Sequence, residues 1–427
     1  MRSIVLIVAG SIAWVGQLSA QPVMHLTLVE AERQALQNNP QFSAAKYNAA
    51  AAYQVPNQYK AAYQPNLSGN FTGVGADSGS RLAAGALNNP VVYDRVGSGL
   101  SMNQMITDFG RTSNLVATAK LRAESQDQVT ETTRAQILLA TGRAYFNLLR
   151  AQSVLHVANE TVNARQLVVE QISALAASKL RSTLDVTFAK VNLSDAKLLQ
   201  VQAINDVQSA QADLATAMGL PGETSFQLEE ESLPAPLPDK VNDLIRTAIQ
   251  DRPELKDLRL QQGADERFIK AEHALFYPSI GITGTAGFVP AGEAVIPGRF
   301  GAVGMNISIP IFNGGLFRAR QTEAELHAKA TAQNVTDLEN RVIRDVRVAY
   351  LNANTAADRM TLTKELLDQA EQSLDLAKTR FDAGLGTIVE LSQAQLNLTS
   401  AQIANTTAKY DYQSQRMVVD FQVGALR

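Results

Sequence analysis

The sequence has no cysteine at any of its 427 positions. Disulfides, thiolate metal centres and a lipid-bearing N-terminal cysteine are therefore excluded. It has one tryptophan, Trp14, and aromatic residues make up 6% of the chain. There is no excess of positive charge: 38 Lys and Arg stand against 41 Asp and Glu, with no basic stripe to follow a nucleic acid backbone. The histidines, at 25, 156, 273 and 327, are too scattered to share a metal. No P-loop, paired-glycine dinucleotide motif or zincin motif occurs, so the reading is of a protein that is not an enzyme and uses no cofactor. A partner must supply any energy the protein needs.

The one long apolar run lies at the start. Arg2 is the only charge before Glu30, Ile4 to Val15 is apolar, and Leu18-Ser19-Ala20 ends in a small residue. This predicts a secretory signal over 1–20, cut after Ala20. A membrane anchor is the alternative, but the run is short for a span of roughly 20 residues.

The rest of the chain is written twice. Pro40 and Pro65 recur as Pro253 and Pro278, and Asp108, Tyr145, Asn192 and Gly219 recur as Asn313, Tyr350, Asn397 and Gly424. The first offset is 213 positions and the second 205, so the first copy holds eight extra residues between Leu67 and Asp108. A length change confined to one place marks an exposed loop between length-critical elements. The chain divides into a first repeat over 21–219, a linker over 220–239 and a second repeat over 240–427.

Each repeat opens on a helix. Thr27 and Glu30 have capping-box spacing, and the first helix is expected to run to about Tyr63 with kinks at Pro40 and Pro56. Its counterpart is expected from about Asp239 to Tyr277. The period then changes to two. Leu67, Gly69 and Phe71 alternate with Ser68, Asn70 and Thr72, and Val96, Ser98, Leu100 and Met102 alternate with Gly97, Gly99, Ser101 and Asn103. In the second copy Ile280, Ile282, Gly284, Ala286 and Phe288 form one such series, and Val303, Met305, Ile307, Ile309 and Ile311 another. These read as two hairpins, 66–107 and 280–312. No charge lies in 67–75, 96–107, 280–289 or 300–317, and Tyr63, Phe109, Phe276, Tyr277, Phe312 and Phe317 sit near the ends. Uncharged runs of about ten residues with aromatic ends suit membrane β-strands.

Long helices follow, at about 111–178 and 316–383. After breaks at 179–183 and 383–387, shorter helices return over about 184–218 and 388–423. The return helices carry seams with steps of three and four. One seam is Val186, Ala189, Leu193, Ala196, Gln200, Ala203, Val207, Ala210 and Leu214; the other is Leu391, Ala394, Leu398, Ala401, Asn405, Ala408, Tyr412, Gln415 and Val419. That is a heptad repeat, with alanines that let a partner helix approach closely. A long helix of about 67 residues spans roughly 100 Å, and a return helix plus the next leading helix cover the same distance. The linker, with Pro221, Pro234, Pro236 and Pro238 around Glu229-Glu230-Glu231, is expected to be irregular, its acidic run a solvated face.

Four strands with two free edges cannot sit in lipid, because edge N–H and C=O groups would lack partners. Symmetric assembly of several copies solves this. The duplicated architecture, Tyr63-x-Pro65-x-Leu67, Ile309-Pro310-Ile311-Phe312-Asn313-Gly314-Gly315 and the segment Arg380 to Leu391 together resemble the TolC-type outer-membrane efflux protein family over nearly the whole mature length. The resemblance implies a mainly α fold with membrane β. A duplicated long-helix coiled-coil tunnel in the periplasm would carry four strands per chain of a homotrimeric, 12-stranded β-barrel in outer-membrane lipid. It also implies a periplasmic adaptor protein at the helical tips and an inner-membrane pump behind it.

Family members close the tip with inward-facing acids and a nearby ion pair. Asp185 and Glu390 occupy the matching acidic positions; Phe381 stands where a gate tyrosine is common, Gln393 where a second acid can occur, and Gly386 where an arginine can tether the gate. Arg181 is read as the substitute cation. In a trimer the carboxylates would crowd one lumen and attract cations; the plainer reading of Asp185 is a helix cap. Leu180, Gly384, Leu385, Gly386 and Thr387 would form the extreme tip that docks the adaptor. The predicted function is a passive exit duct for small amphiphilic compounds. The alternatives are the duct of a type I protein secretion system and, further off, a soluble periplasmic coiled-coil scaffold.

Overall fold

The computed structural model describes residues 24–77, 79–80, 91–221, 225–238, 240–292 and 294–426. The expected signal segment 1–20 and part of the first hairpin's loop lie outside these residues. In chain order the elements are β1 (Met24–Leu26), α1 (Leu28–Asn38), α2 (Pro40–Ala52), α3 (Val55–Lys60), β2 (Asn66–Val74), β3 (Arg95–Thr107), α4 (Arg111–Ala177), α5 (Thr183–Ala217), β4 (Phe226–Leu228), α6 (Val241–Asp251), α7 (Pro253–His273), β5 (Ser279–Gly292), β6 (Arg299–Ser308), α8 (Leu316–Asp382) and α9 (Ile388–Val423).

The leading helices break where proline demands it. Thr27 and Glu30 cap α1 reciprocally, each side chain accepting the other's backbone N–H at 3.2 Å. Pro40 and Pro253 lack the N–H a helix interior needs, and each starts a new helix after an extended residue, Asn39 and Arg252. The expected single helix is thus three pieces in the first copy, because Pro56 breaks it again. In the second copy Ile269 stands at the corresponding place, and α7 runs unbroken for 21 residues.

The chain folds as two compact units. One comprises the described chain up to Gln37, Thr141–Leu233 and Thr361–Tyr410; the other comprises Asn38–Ala140, Pro234–Met360 and the chain from Asp411.

The second unit contains the sheet. Its antiparallel strands run in the order β2-β3-β5-β6, with β2 and β6 outermost. Register places Leu67, Met102, Gly284 and Val303 in one row, and Ser68, Ser101, Thr285 and Ala302 in the next. Successive side chains point to opposite faces, so the first row belongs to an apolar face and the second to a polar one. Leu67, Phe71, Leu100, Phe288, Val303 and Met305 of the apolar face are exposed in this chain. On the polar face Ser68 Oγ and Ser101 Oγ lie 2.7 Å apart, and Thr283 donates to Asn103 Oδ1 at 2.9 Å. The expected second hairpin reached residue 312, but β6 stops at Ser308. Pro310 cannot donate to a ladder, and Ile311 and Phe312 stand exposed beyond it. In the same unit Val342, Val346, Ala349 and Ala353 of α8 pack with Val419 and Val423 of α9, and with Ile245, Ala248 and Leu255.

In the first unit β1 and β4 pair in parallel, Leu26 opposite Leu228. The short strand β4 is the one departure from the expected irregular linker, whose other described residues form neither helix nor strand. Tyr145, fully buried, contacts Leu26 O at 3.1 Å and donates to Glu229 O at 2.7 Å, tying both strands to α4. The acidic run is not simply a solvated face either. Glu230 pairs with Lys409 Nζ and accepts from Tyr410 Oη, both at 2.8 Å, which holds its carboxyl below the usual range. Glu231 accepts from Leu28 N at 3.2 Å.

The seams are in place. Ala189, Leu193, Ala196, Ala203, Ala210 and Leu214 are buried on α5, as are Leu391, Ala394, Ala401, Ala408, Tyr412 and Val419 on α9. Helices α4 and α8 have 67 residues each, so each spans roughly 100 Å.

Candidate functional site: the helical tips

Both tips stop by the same device. At the end of α4, Leu180 N donates to Leu175 O at 2.9 Å and Lys179 N to Ala176 O at 3.0 Å. At the end of α8, Leu385 N donates to Arg380 O at 2.8 Å and Gly384 N to Phe381 O at 3.0 Å. These are Schellman motifs, which need one left-handed residue. Gly384 supplies it at φ 73°; its counterpart Lys179, at φ 60°, carries a side chain there at a steric cost. Gly386 is required for a different reason. A Cβ on it would lie 3.0 Å from Phe381 N, so any larger residue here would force this turn to shift.

The return helices restart with a hydroxyl cap, and the two acids sit at matching third positions. Asp185 N donates to Ser182 Oγ and Ser182 N donates to Asp185 Oδ2, both at 3.2 Å, completing a capping box. The plainer reading of Asp185 therefore describes its geometry. At the other tip Glu390 N donates to Thr387 Oγ1 at 3.1 Å, but the Glu390 carboxylate turns away from its own cap. Its Oε1 meets Arg380 Nε at 3.2 Å. The asymmetry has two sources: glutamate reaches one methylene further than aspartate, and the counterpart of Arg380 in α4 is Leu175.

Within this chain Arg181 does not pair with Glu390: its guanidinium lies 4.6 Å from the centre of the Phe381 ring, and Arg380 meets the Glu390 carboxylate. Phe381 itself is 8% exposed and fills the tip core with Val169, Ile172, Ala189, Leu193, Ile388 and Leu391. It works as a wedge under the turn, with Arg181 over its ring. Gln393, one helical turn after Glu390, is exposed and donates to Asn397 Oδ1 at 2.9 Å. Leu180 and Leu385 project from the two turns, 70% and 74% exposed. The structure thus brings Glu390, Thr387 and Phe381 together around α8's last turn, and places Asp185 at a separate cap.

Sequence reading also missed Arg165 of α4. It is buried, donating to Ser392 Oγ at 3.1 Å, Gln395 Oε1 at 2.6 Å and Ser392 O at 3.4 Å. A signal existed: its counterpart 205 positions on is Ala370, so one copy has a cation where the other has a methyl group.

The model of the outer membrane efflux protein family matches residues 32–220 and 244–424. Among curated proteins the chain is 24% identical to the outer membrane protein TolC of Escherichia coli over 416 residues, covering 93% of this chain and 82% of that one. It is 25% identical to the alkaline protease secretion protein AprF of Pseudomonas aeruginosa, covering 94% and 85%. Among solved structures, CusC superposes with a TM-score of 0.79 at 18% identity, covering 93% of this chain and 92% of that one.

Proposed function

Because the chain belongs to the outer membrane efflux protein family, and is on that ground an efflux channel protein of the outer membrane, we propose that three copies close their sheets edge to edge into one 12-stranded barrel. The observation that carries this reading is the two-faced sheet. It has an apolar face for lipid, a polar face for a water-filled bore, and outer strands β2 and β6 whose edge groups need partners. Arg95 and Arg299, at the loop ends of their strands, are the charges the four strands contain. The helices supply the rest of a passive conduit for small amphiphilic compounds. An inner-membrane pump provides the energy and a periplasmic adaptor joins it at the tips. Leu180, Leu385, Gly384, Gly386 and Thr387 are the surface offered to that adaptor, since exposed leucines at a tight turn favour burial against another helical hairpin.

At the mouth, Glu390 and Gln393 of three chains line the bore, with Arg380 offsetting each Glu390 charge. Asp185 holds the neighbouring helix start, and Phe381 with Arg181 sets how far the two tips lean. The test is conductance of the purified full chain in planar bilayers, with heat-modifiable migration as the sign of a barrel. Recovery of a monomer from the soluble periplasm, with no conductance, would overturn the duct. A type I secretion duct is the second reading, favoured by the likeness to AprF. A neighbouring gene for a dedicated ABC transporter with a linked substrate protein would select it; a proton-driven antiporter gene would select compound efflux.

A further inference from the structure

Beside the tip, α5 and α9 flank a cleft of about 390 Å³ with Arg165 of α4 at its floor. Its walls combine the apolar Phe188, Leu199, Val389 and Leu396 with the polar Thr161, Asn192, Gln393 and Thr399, and Asp195 stands exposed at the rim. The floor is unusual. Arg165 is 7% exposed, yet the groups it bonds, Ser392 and Gln395, are all neutral. A buried guanidinium without a carboxylate in contact is costly, since its charge has lost water and gained no counter-ion. Burial pushes the Arg165 pKa down, and the charge of Asp195, the second and opposing influence, does not reverse the shift. Among the described residues no ion pair reaches Arg165. A cation at the bottom of a cleft whose walls mix apolar and polar side chains has the form of a ligand site: polar groups fix orientation and apolar side chains supply contact.

We infer that this cleft binds small amphiphiles bearing an anionic group, the carboxylate or sulfonate seated on Arg165 and the apolar body between Phe188, Leu199, Val389 and Leu396. The inference rests on the duct reading for its purpose, a holding site for cargo just inside the mouth, since Gln393 lines both the cleft and the proposed bore. Asp195 acts as the tuning group. Its charge repels an anion at the rim, so the site releases what it binds. The acidic mouth does not exclude such a ligand, because Arg380 offsets Glu390 at 3.2 Å and the Asp185 charge sits at the positive end of the α5 dipole. The second copy has no such site, with Ala370 in place of Arg165.

The experiment titrates the full-length protein, as purified from membranes, with 1-naphthoate and with 1-naphthylmethylammonium, read by calorimetry. Saturable binding of the anion and none of the cation is expected. Arg165→Met should weaken the anion about tenfold or more, the usual loss for a charge-assisted hydrogen bond. Because that variant also loosens α9, two exposed substitutions provide the independent reading. Val389→Trp fills the cleft and should abolish binding, while Asp195→Asn should tighten it by about two- to threefold. The proposal is overturned if 1-naphthoate does not bind, if it binds Val389→Trp as well as wild type, or if Asp195→Asn weakens it. Conductance of the same preparations separates the two claims. An open pore that ignores naphthoate sinks the site and leaves the duct; naphthoate binding without conductance does the reverse.

Discussion

The Arg380–Glu390 pair makes a prediction with a definite sign. Both side chains are about half exposed, so breaking the pair costs little stability, about 0.2–1 kcal/mol. Its effect on ions should be larger than its effect on folding. In the proposed trimer the six charges cancel. Arg380→Gln leaves three carboxylates at the mouth, and Glu390→Gln leaves three guanidiniums. A unit charge about 10 Å from a passing ion in water contributes about 0.4 kcal/mol, cut to about 0.15 by screening at 0.1 M salt. Three such charges amount to about 0.5 kcal/mol, favourable for the cation and unfavourable for the anion, or about a fivefold change in the cation-to-anion permeability ratio. Arg380→Gln should therefore raise that ratio about fivefold and Glu390→Gln should lower it by a similar factor. Both effects should vanish at 1 M salt, where the screening length falls to about 3 Å. Reversal potentials across a salt gradient in planar bilayers provide the measurement. Shifts of the same sign in the two variants, or no shift in either, would refute the assignment of this pair to the bore.

Two further outcomes are expected. Lys179→Gly should raise stability by about 0.5–1 kcal/mol, since the left-handed backbone costs a side chain about 1–2 kcal/mol and glycine gives back part of that in entropy; a drop in the denaturation midpoint would contradict the turn geometry. Glu32→Gln should stabilise the protein at neutral pH, because burial first and the Glu231 charge second push the Glu32 carboxyl up from 4.5. A raised folded-state pKa means the charged form is disfavoured in the fold, so the gain should be present at pH 7 and fade as pH falls below about 4.5, where both states are protonated. A gain that persisted in acid, read from paired denaturation curves, would point to a packing effect instead.

How much of this was legible in the sequence varies with the range of the interaction. Helices α4 and α8 follow their patterns to within a residue at each end. Heptad steps and turn residues are local signals, and the repeat supplies each one twice. Strand faces were legible for the same reason, because alternation survives without knowledge of partners. The β1–β4 pair was not, since three residues make no period and their pairing joins segments some 200 positions apart. At the tip, spacing identified the acids but could not choose between Arg181 and Arg380. That choice depends on which side of α8's last turn each faces, and the Schellman turn decides it by throwing Leu385 outward and leaving Arg380 beside Glu390. Arg165 was missed because its partners lie 227 and 230 positions away, on a helix whose docking no local pattern describes.

The alternation of faces across β5 and β6 also bears on assembly errors. Gly284 faces Val303 and Thr285 faces Ala302, so sliding one strand by a single position would turn Val303, Met305 and Ile307 toward water and Gly304 and Asn306 toward hydrocarbon. There is no graded intermediate between the right alignment and a wholly inverted strand. Quality control during insertion therefore faces a binary choice at this ribbon, and a misaligned subunit would be recognisable by its greasy interior before any ring is sealed.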